Sequence, residues 1–207
     1  FENIKIQLID TPPITADFME SWLVEMIKMA EAALVVLDSA SPESSAHLEI
    51  IVNRLKEKKV ELVSAETPIP PEKFLFMKRA LLVLNKSDLG EVNNLKEELE
   101  ILFGRGLETV AVSALSLTGL EELRRRIFDL LQIVRVYSKV PGKKPDYESP
   151  FILKKGSNIM DLARQVHKDF AEKLNYARVW NKQGTITGLR VTRDYLLNDE
   201  DTVELHL

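Results

Sequence analysis

Cysteine is absent from all 207 residues, which excludes disulfides, zinc–thiolate centres and thiol nucleophiles and fits a reducing cytoplasm. Glycine is scarce as well: there are eight, and the first is Gly90. A phosphate-cradling loop of the form G-x-x-x-x-G-K-[ST] needs glycines that let backbone N–H groups approach the phosphates. The only Gly-Lys pair, Gly142-Lys143, is followed by Lys144 and has Tyr137 where the earlier glycine belongs, so this sequence holds no such loop. No apolar run approaches the ~20 residues of a membrane-spanning helix. The start shows no basic, apolar and small-residue pattern of a signal peptide. His47, His167 and His206 stand far apart, without the spacing of metal ligands. Phe1 replaces an initiator methionine, so the chain is expected to be a piece of a longer one.

What is present is a globular composition, 45% hydrophobic and 29% charged, in a length suited to one large domain or two small ones. The net charge of -4 is unevenly spread. Residues 1–133 carry 15 Lys and Arg against 22 Asp and Glu, a net of -7; residues 134–207 carry 13 against 10, a net of +3. That contrast places a domain boundary near residue 133.

The first part alternates strand and helix patterns. Ile4–Ile9, Ala33–Leu37, Leu81–Leu84 and Thr109–Val112 read as strands. A helix capped by Asp17 carries Phe18, Trp22, Met26 and Met29 on one side, with Trp22 read as core. Further helices carry Leu48, Ile51, Val52 and Leu55, then Leu95, Leu99 and Leu102, then Leu120, Leu123, Ile127, Leu130 and Leu131. Leucine-rich and β-branched strands alternating with helices predict an α/β domain with a parallel sheet covered on both faces. Between Lys59 and Arg79 runs an unusually long connection with Pro68, Pro70 and Pro71, read as a spacer containing a short extra strand, Val60–Val63. Arg124, Arg125 and Arg126 read as a solvated helix face.

Residues 134–207 change character. Strands are predicted at Val134–Lys139, Phe151–Lys154, Ala177–Trp180, Leu189–Thr192 and Val203–His206, with a helix capped by Ser157 or Asn158 that carries Ile159, Leu162, Val166 and Phe170. This is the pattern of a small β-grasp domain, with Trp180 expected in its core.

Three strand ends carry chemistry. Asn85-Lys86-Ser87-Asp88 follows Leu81–Leu84, at the edge where open α/β sheets bind ligands. Asp88 can accept from the N1–H and exocyclic amine of guanine, a donor pair that adenine lacks. Asn85 can contact the purine edge or hold neighbouring loops, and the Lys86 stem can lie along the base. Ser113-Ala114-Leu115 follows the next strand, with backbone N–H groups able to reach guanine O6. Asp10-Thr11-Pro12-Pro13 follows Ile4–Ile9, where Asp10 can hold a magnesium-bound water beside phosphates.

In this order the three motifs resemble those of Obg-like and developmentally regulated GTP-binding proteins. The stretch Tyr137–Asp146, with Pro141-Gly142-Lys143-Lys144-Pro145, and the closing Asn198–His206 are similar to the TGS domain of that group. The resemblance implies a partial P-loop GTPase domain, its first strand and phosphate loop missing, followed by a TGS domain over 134–207. It implies binding of GTP or GDP with Mg2+ in the parent protein and GTP hydrolysis as a switch. Asn85, Lys86, Asp88, Ser113, Ala114 and Leu115 would read the nucleotide, with Asp10 near the metal. Pro13 stands where the second-switch motif ends in glycine, so no backbone N–H is available there. Ile14 stands where many related GTPases carry a glutamine, so these residues alone are not expected to catalyse hydrolysis. The alternative is a non-catalytic module contacting RNA or the ribosome through Lys139, Lys143, Lys144, Lys154 and Lys155. In the resembled fold the missing strand lies between Ile4–Ile9 and Ala33–Leu37, so a slot one strand wide is expected there.

Overall fold

The computed structural model describes residues 3–70, 75–89, 92–103 and 106–207, without the side chains of residues 102 and 103. Phe1, Pro71, Gly90 and the side chain of Leu102 lie outside the described residues. The chain divides into two compact units, residues 7–131, and residues 132–207 together with 1–6.

The first unit is built around a long central strand. β1 (Ala33–Asp38) precedes α2 (Ser44–Glu57), β2 (Val60–Val63) and β3 (Phe76–Asn85). α3 (Val92–Phe103), β4 (Glu108–Ala111) and α4 (Leu120–Leu131) follow. β1, β2 and β4 all pair with β3 in parallel. β3 is longer than the apolar run Leu81–Leu84 suggests, because Val60–Val63 pairs with its first four residues, Phe76–Arg79. Ala80, Leu81, Leu82, Val83 and Leu84 are each at most 3% exposed. Side chains alternate across a strand, so both faces must be covered. Leu82 and Leu84 meet Leu48, Leu95 and Leu99; Leu81 and Val83 meet Val110, Val112 and Leu130. Burying such side chains is worth roughly 1.5–3 kcal/mol each, which holds the strand end at Asn85 in place.

The start of this unit departs from expectation. Ile4–Ile9 forms no strand, and residues 1–6 belong to the second unit, where the Asn3 side-chain amide donates to the Tyr147 carbonyl (3.1 Å). Without a strand at Ile4–Ile9 the expected slot between two strands does not form. An apolar alternating sequence specifies a strand only where a partner supplies the ladder hydrogen bonds. The first helix, α1 (Ser21–Met29), starts after Glu20 rather than Asp17. The Thr15 hydroxyl instead accepts from the Phe18 amide (3.1 Å), fixing a turn before the helix. Phe18, Trp22 and Met29 are 51%, 45% and 83% exposed, so the predicted apolar stripe faces outward and Trp22 is not core. The helix docks through Val24 and Ile27 against Leu55 and Val60. Its end is held from β3, where buried Lys78 donates to the Lys28 (3.1 Å) and Ala30 carbonyls. Burial pushes the Lys78 ammonium below its ordinary pKa.

The second unit is a mixed five-stranded sheet in the order β6-β5-β9-β7-β8. β5 is Ile133–Ser138, β6 Phe151–Lys154, β7 Tyr176–Trp180, β8 Leu189–Val191 and β9 Asp201–His206. Only β5 and β9 run parallel; the other neighbours are antiparallel. Asn158 caps α5 (Ile159–Val166) in a capping box with Asp161, whose amide donates to Asn158 (3.1 Å). Ile159, Leu162 and Ala163 pack with Val134, Val136, Ala177, Val179 and Val203 on one face of the sheet. The predicted single helix is broken at His167, which is fully extended between α5 and α6 (Lys168–Lys173). The His167 ring caps the second piece by accepting from the Asp169 amide (3.2 Å). Among the described residues no helix is long and apolar enough to cross a membrane.

Candidate functional site

The ladders of β3 place two of the singled-out loops side by side. β1 and β4 flank the end of β3, pairing Asp38 with Asn85 and Ala111 with Leu84. The Val112 amide donates to the Leu84 carbonyl (2.9 Å) and the Ser87 amide to the Val112 carbonyl (3.0 Å), stitching the 85–88 turn to the 113–115 loop. The link between the motifs is a side-chain bond: the Ala114 amide donates to Asn85 Oδ1 (3.1 Å). Asn85 thus holds the neighbouring loop, one of the two roles read from its sequence position.

The 113–118 loop is closed on itself. The Ser113 amide donates to the Thr118 carbonyl (3.0 Å), and the fully buried Ser113 accepts through Oγ from the Ser116 amide (3.0 Å). Asp88 is exposed in the turn after β3. In the two stitched loops Leu89, Leu115 and Leu117 are 70%, 86% and 69% exposed, so these apolar side chains lie outside the core. Lys86 adopts a positive φ of 61° and pairs with Asp38 (2.6 Å). That hydrogen bond, with a second from the Ala40 amide, holds the Asp38 carboxyl below the usual carboxylate range. Sequence reasoning passed over Asp38, although an aspartate ending an apolar strand before a serine-rich turn is the same signal that singled out Asp10. Beside it Ser39 is buried, and among the described residues its hydroxyl has no hydrogen-bond partner.

Asp10 is not brought into this cluster by any described contact. It lies on an irregular exposed stretch, and one carboxylate oxygen accepts from the Thr11 amide (3.1 Å). No cluster of three His, Asp or Glu suited to a metal occurs among the described residues.

Asn85→Ala is expected to free the Ala114 amide, costing about 1 kcal/mol and speeding its hydrogen exchange. Unchanged exchange at Ala114 would show that the loop is held by its backbone alone.

Comparison with known proteins adds family evidence. Residues 134–207 match the TGS domain family. The second unit is therefore similar to a TGS domain over those residues. Over 98% of this chain and 52% of its own length, an uncharacterised GTP-binding protein of Methanocaldococcus jannaschii is 29% identical. Developmentally-regulated GTP-binding protein 1 of Xenopus laevis is 32% identical over 60% of this chain and 33% of its own length. The chain thus spans about half or a third of these relatives. A crystal structure of a GTP binding protein from Pyrococcus horikoshii superposes with a TM-score of 0.64 at 20% identity, covering 89% of this chain and 80% of that one. At that identity the likeness is one of fold.

Within the TGS domain the five lysines do not form one patch. Lys139 pairs with Glu204 and lies over the Trp180 ring (4.7 Å), so its charge is already engaged. Lys154 sits opposite Ile133 at the start of β5, whereas Lys143 and Lys144 lie beyond its far end at Ser138. At ~3.3 Å per residue the two ends of β5 are roughly 17 Å apart. Trp180, expected in the core, is half-buried on the sheet face. In the first unit, Arg124, Arg125 and Arg126 pair with Glu121, Glu122 and Glu108 on the surface, as a solvated face predicts. Hydrogen bonds from Arg125 and Arg126 pull the Glu122 carboxyl down to about 2.

Proposed function

We propose that the first unit is the base-reading part of a guanine-nucleotide-binding protein. The observation that carries this reading is the Asn85–Ala114 bond, which joins two consecutive strand-end loops into one surface with Asp88 exposed beside it. Asp88 accepts from the guanine N1–H and exocyclic amine, the Lys86 stem and Leu115 meet the base faces, and Ser113 and Ala114 orient the loop toward O6. Asp10 holds a Mg2+-bound water in the whole protein, where GTP is hydrolysed as a switch. The relatives' names as GTP-binding proteins support this reading. Without a phosphate loop the backbone donors for the triphosphate are missing, so this chain binds weakly and is assigned no catalytic residue. The TGS domain contacts RNA or the ribosome, and the protein works in the cytoplasm; the exposed Lys143, Lys144, Lys154 and Lys155 support the RNA contact.

The test is base selectivity, read from the amide signals of Ala114 and Asp88 during titration. GDP is expected to bind better than ADP. Asp88→Asn is expected to weaken GDP at least about tenfold and strengthen xanthosine diphosphate, because Asn donates where xanthine accepts. GDP affinity unaltered by Asp88→Asn would overturn the assignment.

A further inference from the structure

The α5 side of the second unit's sheet is covered by its core, whereas the opposite face keeps two arginines exposed near one edge. Strand alternation and register put Tyr176, Arg178 and Trp180 of β7 on that face, opposite His206, Glu204 and Thr202 of β9. Arg190 of β8 stands directly across from Arg178, and both are exposed. Like charges directly opposite in an antiparallel pair repel and destabilise it. Nothing neutralises them: among the described residues neither guanidinium has an acidic partner. Glu204, the acid opposite Arg178, gives its two oxygens to Lys139 and His206 (2.7 Å). The rings of this face are already taken. Tyr176 lies between Arg190 (4.0 Å) and the stacked His206 (4.4 Å), and Trp180 lies under Lys139 (4.7 Å) with Gly188 packed against it. What this face leaves to a ligand is therefore the N–H donors of the two guanidinium groups. Lying over Tyr176 restrains the Arg190 group while its in-plane donors stay open to an acceptor.

A second feature adjoins them. β8 ends the sheet order, so its outer edge has no neighbouring strand among the described residues. Leu189, which pairs with Val179, lies on the other face from Arg190 and is 51% exposed. We infer that the β8 edge binds an extended acidic segment of a partner protein, which adds as a strand and places a carboxylate between Arg178 and Arg190. Charge complementarity selects this occupant, since one carboxylate meets both guanidinium forks and cancels their repulsion. Main-chain hydrogen bonds along the open edge supply affinity, and side chains of period two fix the register. A strand with acids beside Arg190 puts its intervening residues beside Leu189, so alternating acidic and apolar residues fit. Single-stranded nucleic acid does not, because no ring face is open to a base. The surface is separate from the hairpin lysines and does not rest on the RNA reading. Lys143 and Lys144 lie in the β5–β6 connection, and Lys154 is on β6, at the opposite end of the sheet order.

The experiment titrates the whole chain with a short peptide alternating glutamate and valine, and follows the backbone amide signals of β8. Expected are shifted signals and slowed hydrogen exchange in β8, with an affinity that falls as salt rises. Arg178→Gln with Arg190→Gln should lower affinity at least about tenfold, as should glutamine in place of glutamate in the peptide. The same arginine pair should leave the melting temperature equal or higher, since a repulsion is removed. Lys143→Gln with Lys144→Gln should change affinity by less than about twofold, because distant exposed charges are screened. Affinity unaltered by the arginine pair, or equal binding of the glutamine peptide, would overturn the carboxylate site. A short oligouridylate that protects the same β8 amides at matching affinity would assign the edge to nucleic acid and overturn it as well. No binding of the peptide would leave the arginines as guards of an exposed edge, and the inference would fall.

Discussion

Replacing Gly119 by alanine is expected to destabilise the first unit by roughly 2–5 kcal/mol, from a left-handed conformation and an overpacked contact together. Gly119 sits at φ +75°, and a Cβ there would stand 2.2 Å from the Ala111 carbonyl oxygen. That oxygen belongs to β4, whose neighbouring Val112 supports the Ser87 turn. Relief must come from backbone, so the 113–118 loop shifts and the Asn85–Ala114 bond with it. Gly142 and Gly156 also have positive φ, but a Cβ at either meets nothing within 4 Å. Alanine at those positions should cost only about 1 kcal/mol. Chemical denaturation of the three variants checks the order, and equal losses would show that the close approach at Gly119 is accommodated freely.

Arg135→Met should cost the TGS domain roughly 2–4 kcal/mol, the range for breaking a buried pair, lowered for the partial exposure of its partner. The Arg135 side chain is 5% exposed, and its guanidinium meets Asp199 (2.6 Å) and Glu200 (3.2 Å). Its backbone amide also donates to Asp199 (2.7 Å), so one carboxylate ties β5 to the turn before β9. Burial pushes the Asp199 carboxyl up, but the Arg135 hydrogen bonds outweigh it and hold it below the ordinary value. A lowered carboxylate contributes stability above its unfolded pKa of about 3.9 and loses it as pH falls through the folded value. The native domain should therefore lose this contribution in acid, and Arg135→Met should lose less over the same interval. Lys182→Gln removes an exposed partner of the same Glu200 and should cost under about 1 kcal/mol. Thermal melts across the acid range separate the two, and equal melting temperatures for both variants would contradict the buried-pair argument.

Much of the fold could be read from periodicity because most elements bury one defined face. Leu48, Ile51, Val52 and Leu55 recur at helical spacing and pack where that spacing points. Asn158 reads as a cap because its short side chain reaches back to the helix amides, and it does so with Asp161. The stripe Phe18, Trp22, Met26 and Met29 satisfied the same test, yet Phe18, Trp22 and Met29 face outward. Periodicity identifies a face, but only the neighbouring elements decide which face is covered. The break at His167 was equally hidden, since Phe170 keeps helical spacing across it while the His167 backbone is extended.

The candidate site divides in the same way. Local chemistry determined that Asn85, Lys86, Asp88, Ser113 and Ala114 stand at strand ends, because apolar runs of strand length end at polar turns. Those runs also determined the α/β and β-grasp characters of the two units. Tertiary structure alone decided that Asn85 grips Ala114 across 29 positions, that Asp38 engages Lys86, and that Lys139 is spent on Glu204. It also placed Arg178 across from Arg190 and left Ile4–Ile9 without a ladder. Each of these depends on strand register and pairing, which bring together residues far apart in the chain, and a pattern of period two or 3.6 carries no information about which strand lies next to which.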